Sequence, residues 1–246
     1  MFPDDCRVCG TRLSGFPPYP VCSPCLSHPE PLSAGTFCVQ CYAPFNTEAA
    51  LDTDGRCRLC RSGITQFDAM YCVGSYDGRL RTLIQLYKYE PMERLGKPLG
   101  KFMRTGYPRE VKFDAMVPMP IHSKRLRDRG FNQAEKLAEA LKDIAPIPLE
   151  RNWVIRHKNT QKQAGLSGKE RRQNVKDAFR VPDPERVREK RILLIDDVLT
   201  TGASANACAS ALKKAGASYV AILALARADR RIGAGPEAAV AVSQFV

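Results

Sequence analysis

Four C-x-x-C pairs crowd the front of this chain: Cys6/Cys9, Cys22/Cys25, Cys38/Cys41 and Cys57/Cys60. A C-x-x-C turn aims two thiolates at one tetrahedral ion, and two such turns complete a closed site with no open position. Twelve residues separate the first two pairs and fifteen the last two. The pattern predicts two structural zinc ions. Sequential pairing is favoured, because each ribbon then closes a short loop; first with third and second with fourth is the alternative. Residues 1–65 hold few large aliphatic side chains, so metal must stabilise them. Disulfides would suit an exported chain. The start, MFPDDCRVCG, has neither the basic nor the apolar stretch of a secretion signal. A thioredoxin-like role would need one C-x-x-C opening a helix, not four among Pro and Gly. The expected setting is therefore a reducing cytoplasm. No apolar run approaches the roughly 18 residues of a membrane span, so no membrane insertion is expected. Cys72 and Cys208 stand outside the pattern and read as small buried hydrophobes.

Charge divides the chain at the same place. Residues 1–65 carry five Lys/Arg against six Asp/Glu, a net −1, so of the overall +12 the other 181 residues carry +13. A basic body suits a polyanionic partner, either nucleic acid or a phosphorylated small molecule; solvation of the surface by Lys and Arg is the plainer alternative.

From Phe67 onward, strand-like and helix-like stretches alternate. FDAMYCVGSY reads as a strand. RLRTLIQLYKY is a helix, with Leu80, Leu83, Ile84 and Tyr87 on one face, continued by RLGKPLGKFMR and loosened by Pro98. DAMVPMP is a short strand. NQAEKLAEAL is a helix capped by Asn132, with Ala134, Leu137, Ala138 and Leu141 inward. RILLI, SANACASALKKAG and SYVAILALA complete a strand–helix–strand series, the helix stopped by Gly216. This order predicts an α/β fold with a mostly parallel sheet flanked by helices, and ligands beyond the carboxyl ends of the strands.

The stretch ILLIDDVLTTGAS, residues 192–204, sits at such an end. A buried strand is expected to finish at Ile195, leaving Asp196 and Asp197 solvent-facing at the sheet edge. Thr200, Thr201, Gly202, Ala203 and Ser204 then form a small-residue turn into a helix, whose first amides and dipole favour phosphate. Carboxylates beside a phosphate cup would repel it, unless the ligand also carries vicinal hydroxyls and magnesium, as a ribose phosphate does. Neither G-x-x-x-x-G-K-[ST] nor G-x-G-x-x-G occurs.

LLIDDVLTTGAS resembles the phosphoribosyl pyrophosphate (PRPP) signature of type I phosphoribosyltransferases. The resemblance implies PRPP-binding and catalytic duty for Asp196 and Asp197, acting on the ribose hydroxyls directly or through bound Mg²⁺. It implies 5′-phosphate binding by Thr200, Thr201, Gly202, Ala203 and Ser204. VPMPIHSKRLRDRGFNQAEKLA and TQKQAGLSGKERRQNVKDAF narrow the likeness to the ComF/GntX family, which joins a double zinc ribbon to a phosphoribosyltransferase-like domain. On that plan residues 1–65 are the ribbons, 66–232 the transferase-like domain and 233–246 a variable tail. Related enzymes place a pyrophosphate-binding loop at VPMPIHSKR, which points to Lys124 and Arg125; solvated basic residues approaching a helix are the alternative. His122 reads as structural. RHKNTQKQAGLSGKERRQN is either a flap closing over ligand or a surface loop.

Two functions follow. One is transfer of a phosphoribosyl group from PRPP with release of pyrophosphate, in the setting of natural competence and DNA uptake that the family resemblance implies. The other is a non-catalytic PRPP sensor or single-stranded-DNA-binding factor, its ribbons docking other competence proteins.

Overall fold

A computed structural model describes residues 5–15, 18–27, 35–41, 43–45, 47–62, 65–89, 92–158, 175 and 177–228. The stretch read as a flap is described only to residue 158, and the tail at 233–246 lies outside the described residues.

In the cysteine-rich region a short helix α1 (Ser23–Ser27) precedes the hairpin of β1 (Thr36–Phe37) and β2 (Pro44–Phe45), and α2 (Arg58–Arg61) follows. The body opens with β3 (Ala69–Ser75) and α3 (Gly78–Tyr89), whose Leu80, Leu83, Ile84 and Tyr87 are all fully buried. The expected continuation of α3 does not occur. A separate helix, α4 (Gly96–Met103), carries Pro98 in its first turn, where the missing N–H would have had no helical partner anyway. Then come β4 (Ala115–Pro118), α5 (Ser123–Arg129) and α6 (Gln133–Leu141). Asn132 caps α6, its Oδ1 accepting from Ala134 N at 3.1 Å. A two-stranded ribbon of β5 (Ile155–Arg156) and β6 (Phe179–Arg180) leads to β7 (Arg191–Leu199), α7 (Ala203–Lys214) and β8 (Tyr219–Arg227).

The central sheet has the order β3-β8-β7-β4, every neighbouring pair parallel. A parallel sheet covered on both faces calls for strands apolar throughout, and Ile192, Leu193, Leu194 and Ile195 supply that run at 0% exposure. On one face Ile192, Leu194, Val220 and Ile222 pack with Cys208, Ala209 and Leu212 of α7. On the other, Leu193, Ile195, Ala221 and Leu223 pack with α3, α4 and α6.

The cysteine-rich region straddles this sheet. Cys6, Val21 and Cys25 belong to the α3–α4–α6 side, whereas Cys38, Cys41, Phe45, Cys57 and Cys60 join the α7 side. Met70 of β3 donates its N–H to the Cys41 carbonyl at 2.7 Å, fastening the second ribbon to an edge strand. The ribbons thus share the core of the body as well as holding their own cysteines.

Candidate functional site

Strand β7 does not end at Ile195. Strand β8 runs alongside it to Arg227, and the ladder continues through Asp196↔Ala224, Val198↔Ala226 and Leu199↔Arg227. Both acids are therefore strand residues, and successive strand side chains point to opposite faces. This corrects the expectation of two solvent-facing carboxylates: Asp197 is only 8% exposed and Asp196 is half-buried.

Asp197 turns toward α3, where Lys88 Nζ lies 2.9 Å from its Oδ1. Burial works against the Lys88 ammonium, and Asp197 more than offsets it, so the lysine's pKa stands above its ordinary value. Asp196 shares a row across the sheet with Ala224 and Cys72, on the α7 side. Its Oδ1 accepts from Asp197 N at 2.9 Å. Burial pushes its carboxyl up to about 7, with the charge of Asp197 adding to the effect; Lys88 and Arg156 pull the other way. Arg156 of β5 lies over the Phe179 ring at 5.4 Å. Burial lowers Arg156 to about 10, and the charge of Arg125 lowers it further while that of Asp196 opposes the fall, so Arg156 stands within electrostatic reach of both. Arg227, 4.9 Å over the Phe45 ring, reaches the same row by its influence on Cys72. Burial pushes the Cys72 thiol up to about 12 and raises Cys208 as well, leaving both protonated. Cys208 is fully buried as expected, while Cys72 is half-buried.

The turn after β7 has the small-residue character read from the sequence. Thr200 is exposed, and Thr201 Oγ1 lies 3.4 Å from Ala203 N, which donates to it. Gly202 takes φ +70°, a left-handed conformation that glycine adopts without steric cost, and leads into the 12-residue helix α7. Ala203 and Ser204 form its first turn, where backbone amides and dipole favour an anion.

Lys124 and Arg125 lie not in a loop but in the first turn of α5. His122 caps that helix, Nδ1 accepting from Lys124 N at 3.2 Å, which is the structural role expected of it. The helix separates the two cations: Arg125 is half-buried, its charge felt by Arg156, and Lys124 is exposed. Lys88, Arg156 and Arg227 are site neighbours that sequence reasoning missed. Lys88 had a visible signal, because it continues the Leu80–Ile84 stripe at i+4 and puts a cation on an apolar face. Arg156 and Arg227 had none, since long-range packing brings them in.

The cysteines converge as two quartets, Cys6/Cys9/Cys22/Cys25 and Cys38/Cys41/Cys57/Cys60, each with all its sulfurs within 4.8 Å of one another. Zn–S bonds of about 2.3 Å place tetrahedral sulfurs about 3.8 Å apart. The pairs Cys9–Cys22, Cys38–Cys60 and Cys41–Cys57 stand at 3.7, 3.8 and 3.9 Å. Backbone N–H groups of Val8 and Cys22 donate to Cys6 Sγ, and that of Cys57 donates to Cys38 Sγ. The donor sets fit zinc in size and chemistry, and the sulfurs group in sequential pairs.

Among the described residues, no helix is long and apolar enough to cross a membrane. The phosphoribosyl transferase domain family matches residues 126–245. Competence protein F of Haemophilus influenzae is 33% identical over 180 residues, covering 70% of this chain and 78% of its own. DNA utilization protein YhgH of Escherichia coli K12 is 27% identical over 201 residues, covering 78% and 84%. Competence protein ComFC of Streptococcus pneumoniae is 27% identical over 172 residues, covering 70% and 73%. With two four-cysteine clusters ahead of a parallel-sheet phosphoribosyltransferase-like domain, the chain belongs to the ComF/GntX family.

Proposed function

We propose that this protein binds PRPP with Mg²⁺ at the carboxyl end of β7 and transfers its phosphoribosyl group to an acceptor, releasing pyrophosphate, in the handling of DNA during competence. The observation that carries this reading is a half-buried carboxylate, Asp196, on which the charge of Arg156 acts, with Arg125 acting in turn on Arg156, and the Thr200, Thr201, Gly202, Ala203, Ser204 turn just beyond. Polyphosphate needs the cations, ribose hydroxyls need the acid, and a terminal phosphate needs the turn's backbone amides. Magnesium usually takes one or two carboxylates plus substrate phosphates, and Asp196 fits that donor set. When bound, the ion would neutralise charge developing on the departing pyrophosphate.

The chain's own residues then divide the work. Asp196 orients the ribose, and the 200–204 turn holds the 5′-phosphate. Arg125, with Lys124 at its outer edge, stabilises the leaving group electrostatically. Asp197 serves as a positioning residue, because its Oδ1 is engaged by Lys88. The two cysteine quartets hold structural zinc, in keeping with a reducing cytoplasm, and fix the ribbons against the body.

A second reading has its own observation. Lys124 and Arg127 of α5 are exposed on either side of Leu126, itself 42% exposed, a basic surface suited to single-stranded DNA. On this reading PRPP is sensed, not consumed, and the ribbons dock competence proteins. Calorimetric titration with PRPP, with and without Mg²⁺, followed by a pyrophosphate-release screen over candidate acceptors, separates the two. Mg²⁺-dependent binding with release supports transfer; binding without release under every acceptor supports sensing; no PRPP binding overturns both.

A further inference from the structure

The two quartets differ in one respect that bears on their chemistry. In the second, Cys38, Cys41, Cys57 and Cys60 are 0%, 2%, 3% and 6% exposed, sealed against the α7 side of the body. In the first, Cys6 and Cys25 are each 2% exposed, but Cys9 is exposed and Cys22 half-exposed. Those two accessible sulfurs are also neighbours, 3.7 Å apart, although they come from different C-x-x-C turns. A solvent oxidant can therefore reach two ligands of the first site and none of the second.

We propose that the first quartet is a peroxide-responsive zinc site, in which hydrogen peroxide oxidises Cys9 and Cys22 to a disulfide and expels the ion. The inference rests on the reading that the quartets hold zinc. Chemically, the Cys9 sulfur attacks the peroxide, an S–O bond forms, the O–O bond breaks, and the departing hydroxide takes a proton to become water. The Cys22 sulfur then attacks the sulfenic sulfur; the S–S bond forms, the S–O bond breaks, and a second hydroxide leaves and is protonated. Two thiolates lose two electrons in total and the peroxide becomes two waters. For the bridge the sulfurs close from 3.7 Å to about 2.05 Å, a short move between residues already facing each other. Cys6 and Cys25 alone cannot complete a tetrahedral site, so the ion leaves.

Burial of Cys6 and Cys25 against α4 gives the switch its geometry. They keep the ribbon anchored in the core shared with Leu95 and Leu99 while the outer pair reacts. The second quartet, fastened by Cys41 O to Met70 N, retains its ion and its fold.

The test uses the full chain as purified. Elemental analysis first fixes the zinc content; two ions per chain establish the starting point. Hydrogen peroxide is then added with a chromogenic zinc chelator present, and the products are alkylated and mapped by mass spectrometry. The expected result is one equivalent of zinc released about tenfold faster than the other, since accessibility governs thiolate oxidation. It comes with a Cys9–Cys22 disulfide, and dithiothreitol with added zinc reverses both changes. Release of both ions at one rate, retention of both, or a bridge within the second quartet overturns the proposal while leaving the zinc reading intact. A protein that folds without metal removes the zinc reading, and this proposal with it.

Discussion

Lys88 Nζ sits 2.9 Å from Asp197 Oδ1, tying the last turn of α3 to the carboxyl end of β7. Both side chains are largely withdrawn from water, at 17% and 12% exposure. An ion pair in that position fixes geometry more than it adds net stability, because desolvation opposes the Coulomb gain. Removing one partner is a different matter. Lys88→Met should cost about 3–5 kcal/mol, since it strands a buried carboxylate. Adding Asp197→Asn should recover most of that loss, and urea denaturation of the four proteins of the cycle measures the coupling. A Lys88→Met loss under about 1 kcal/mol would mean that the pair behaves as a solvated surface contact.

Asp196 predicts an unusual pH response. Burial, then the charge of Asp197, raises its carboxyl to about 7 in the folded protein, against ~3.9 when unfolded. For a raised acid the folded state binds the proton more tightly, so the cost of ionisation is absent below the unfolded value. It grows as pH rises from about 4 and is complete above about 7. Asp196→Asn removes that cost. At pH 8 the variant should be more stable than the parent by on the order of 2 kcal/mol, allowing for partial solvent contact, with the gap closing toward pH 4. Denaturation midpoints across that range decide it; a constant gap would assign the effect to something other than titration.

These residues also mark how far the sequence could be read. The inward face of α3, the Asn132 cap and the cysteine quartets were visible because periodicity, capping chemistry and C-x-x-C spacing are local signals. Where β7 stops was not. Its length is set by pairing with β8, a partner more than twenty residues further along the chain, and four extra strand residues turn two neighbouring acids to opposite faces. Helix α5 was equally hidden: HSKRLRDRG has a lone Leu126 and so no apolar period, and the helix is defined by the His122 cap and the left-handed Gly130 at φ +81°. Arg156 belongs to a strand of two residues and reaches Asp196 only through tertiary packing.

Close approach of α4 and α6 makes a third prediction. A methyl group at Gly100 would lie 2.2 Å from Ala140 Cβ and 3.4 Å from the Leu137 carbonyl oxygen. Gly100→Ala should therefore destabilise by about 1–3 kcal/mol despite alanine's better helix propensity, because overpacking outweighs a gain of about 1 kcal/mol. Ala140→Gly in the same chain should relieve the clash and leave thermal stability near that of the parent. Stabilisation by Gly100→Ala alone would show the helices free to move apart.

The turn and the two acids carry the last prediction. PRPP with Mg²⁺ at 100 times its Kd should stabilise the protein by about 2.7 kcal/mol, read as a rise in Tm. Asp196→Asn should abolish that rise while leaving the free protein folded. Asp197→Asn should do nearly the reverse: it weakens the free protein by breaking the pair with Lys88, yet keeps most of the ligand-induced rise. Gly202→Val should lose the rise for a third reason. Gly202 sits at φ +70° with nothing within 4 Å of where a Cβ would point, so valine meets no protein atom there. Its penalty is backbone strain of about 1–2 kcal/mol, and relief of that strain would re-aim the turn. Gly202→Asn tolerates the left-handed region better and should retain part of the response. If Asp197→Asn erased the PRPP response as completely as Asp196→Asn, the division of labour drawn from their opposite faces would be wrong, and both carboxylates would belong to the ligand.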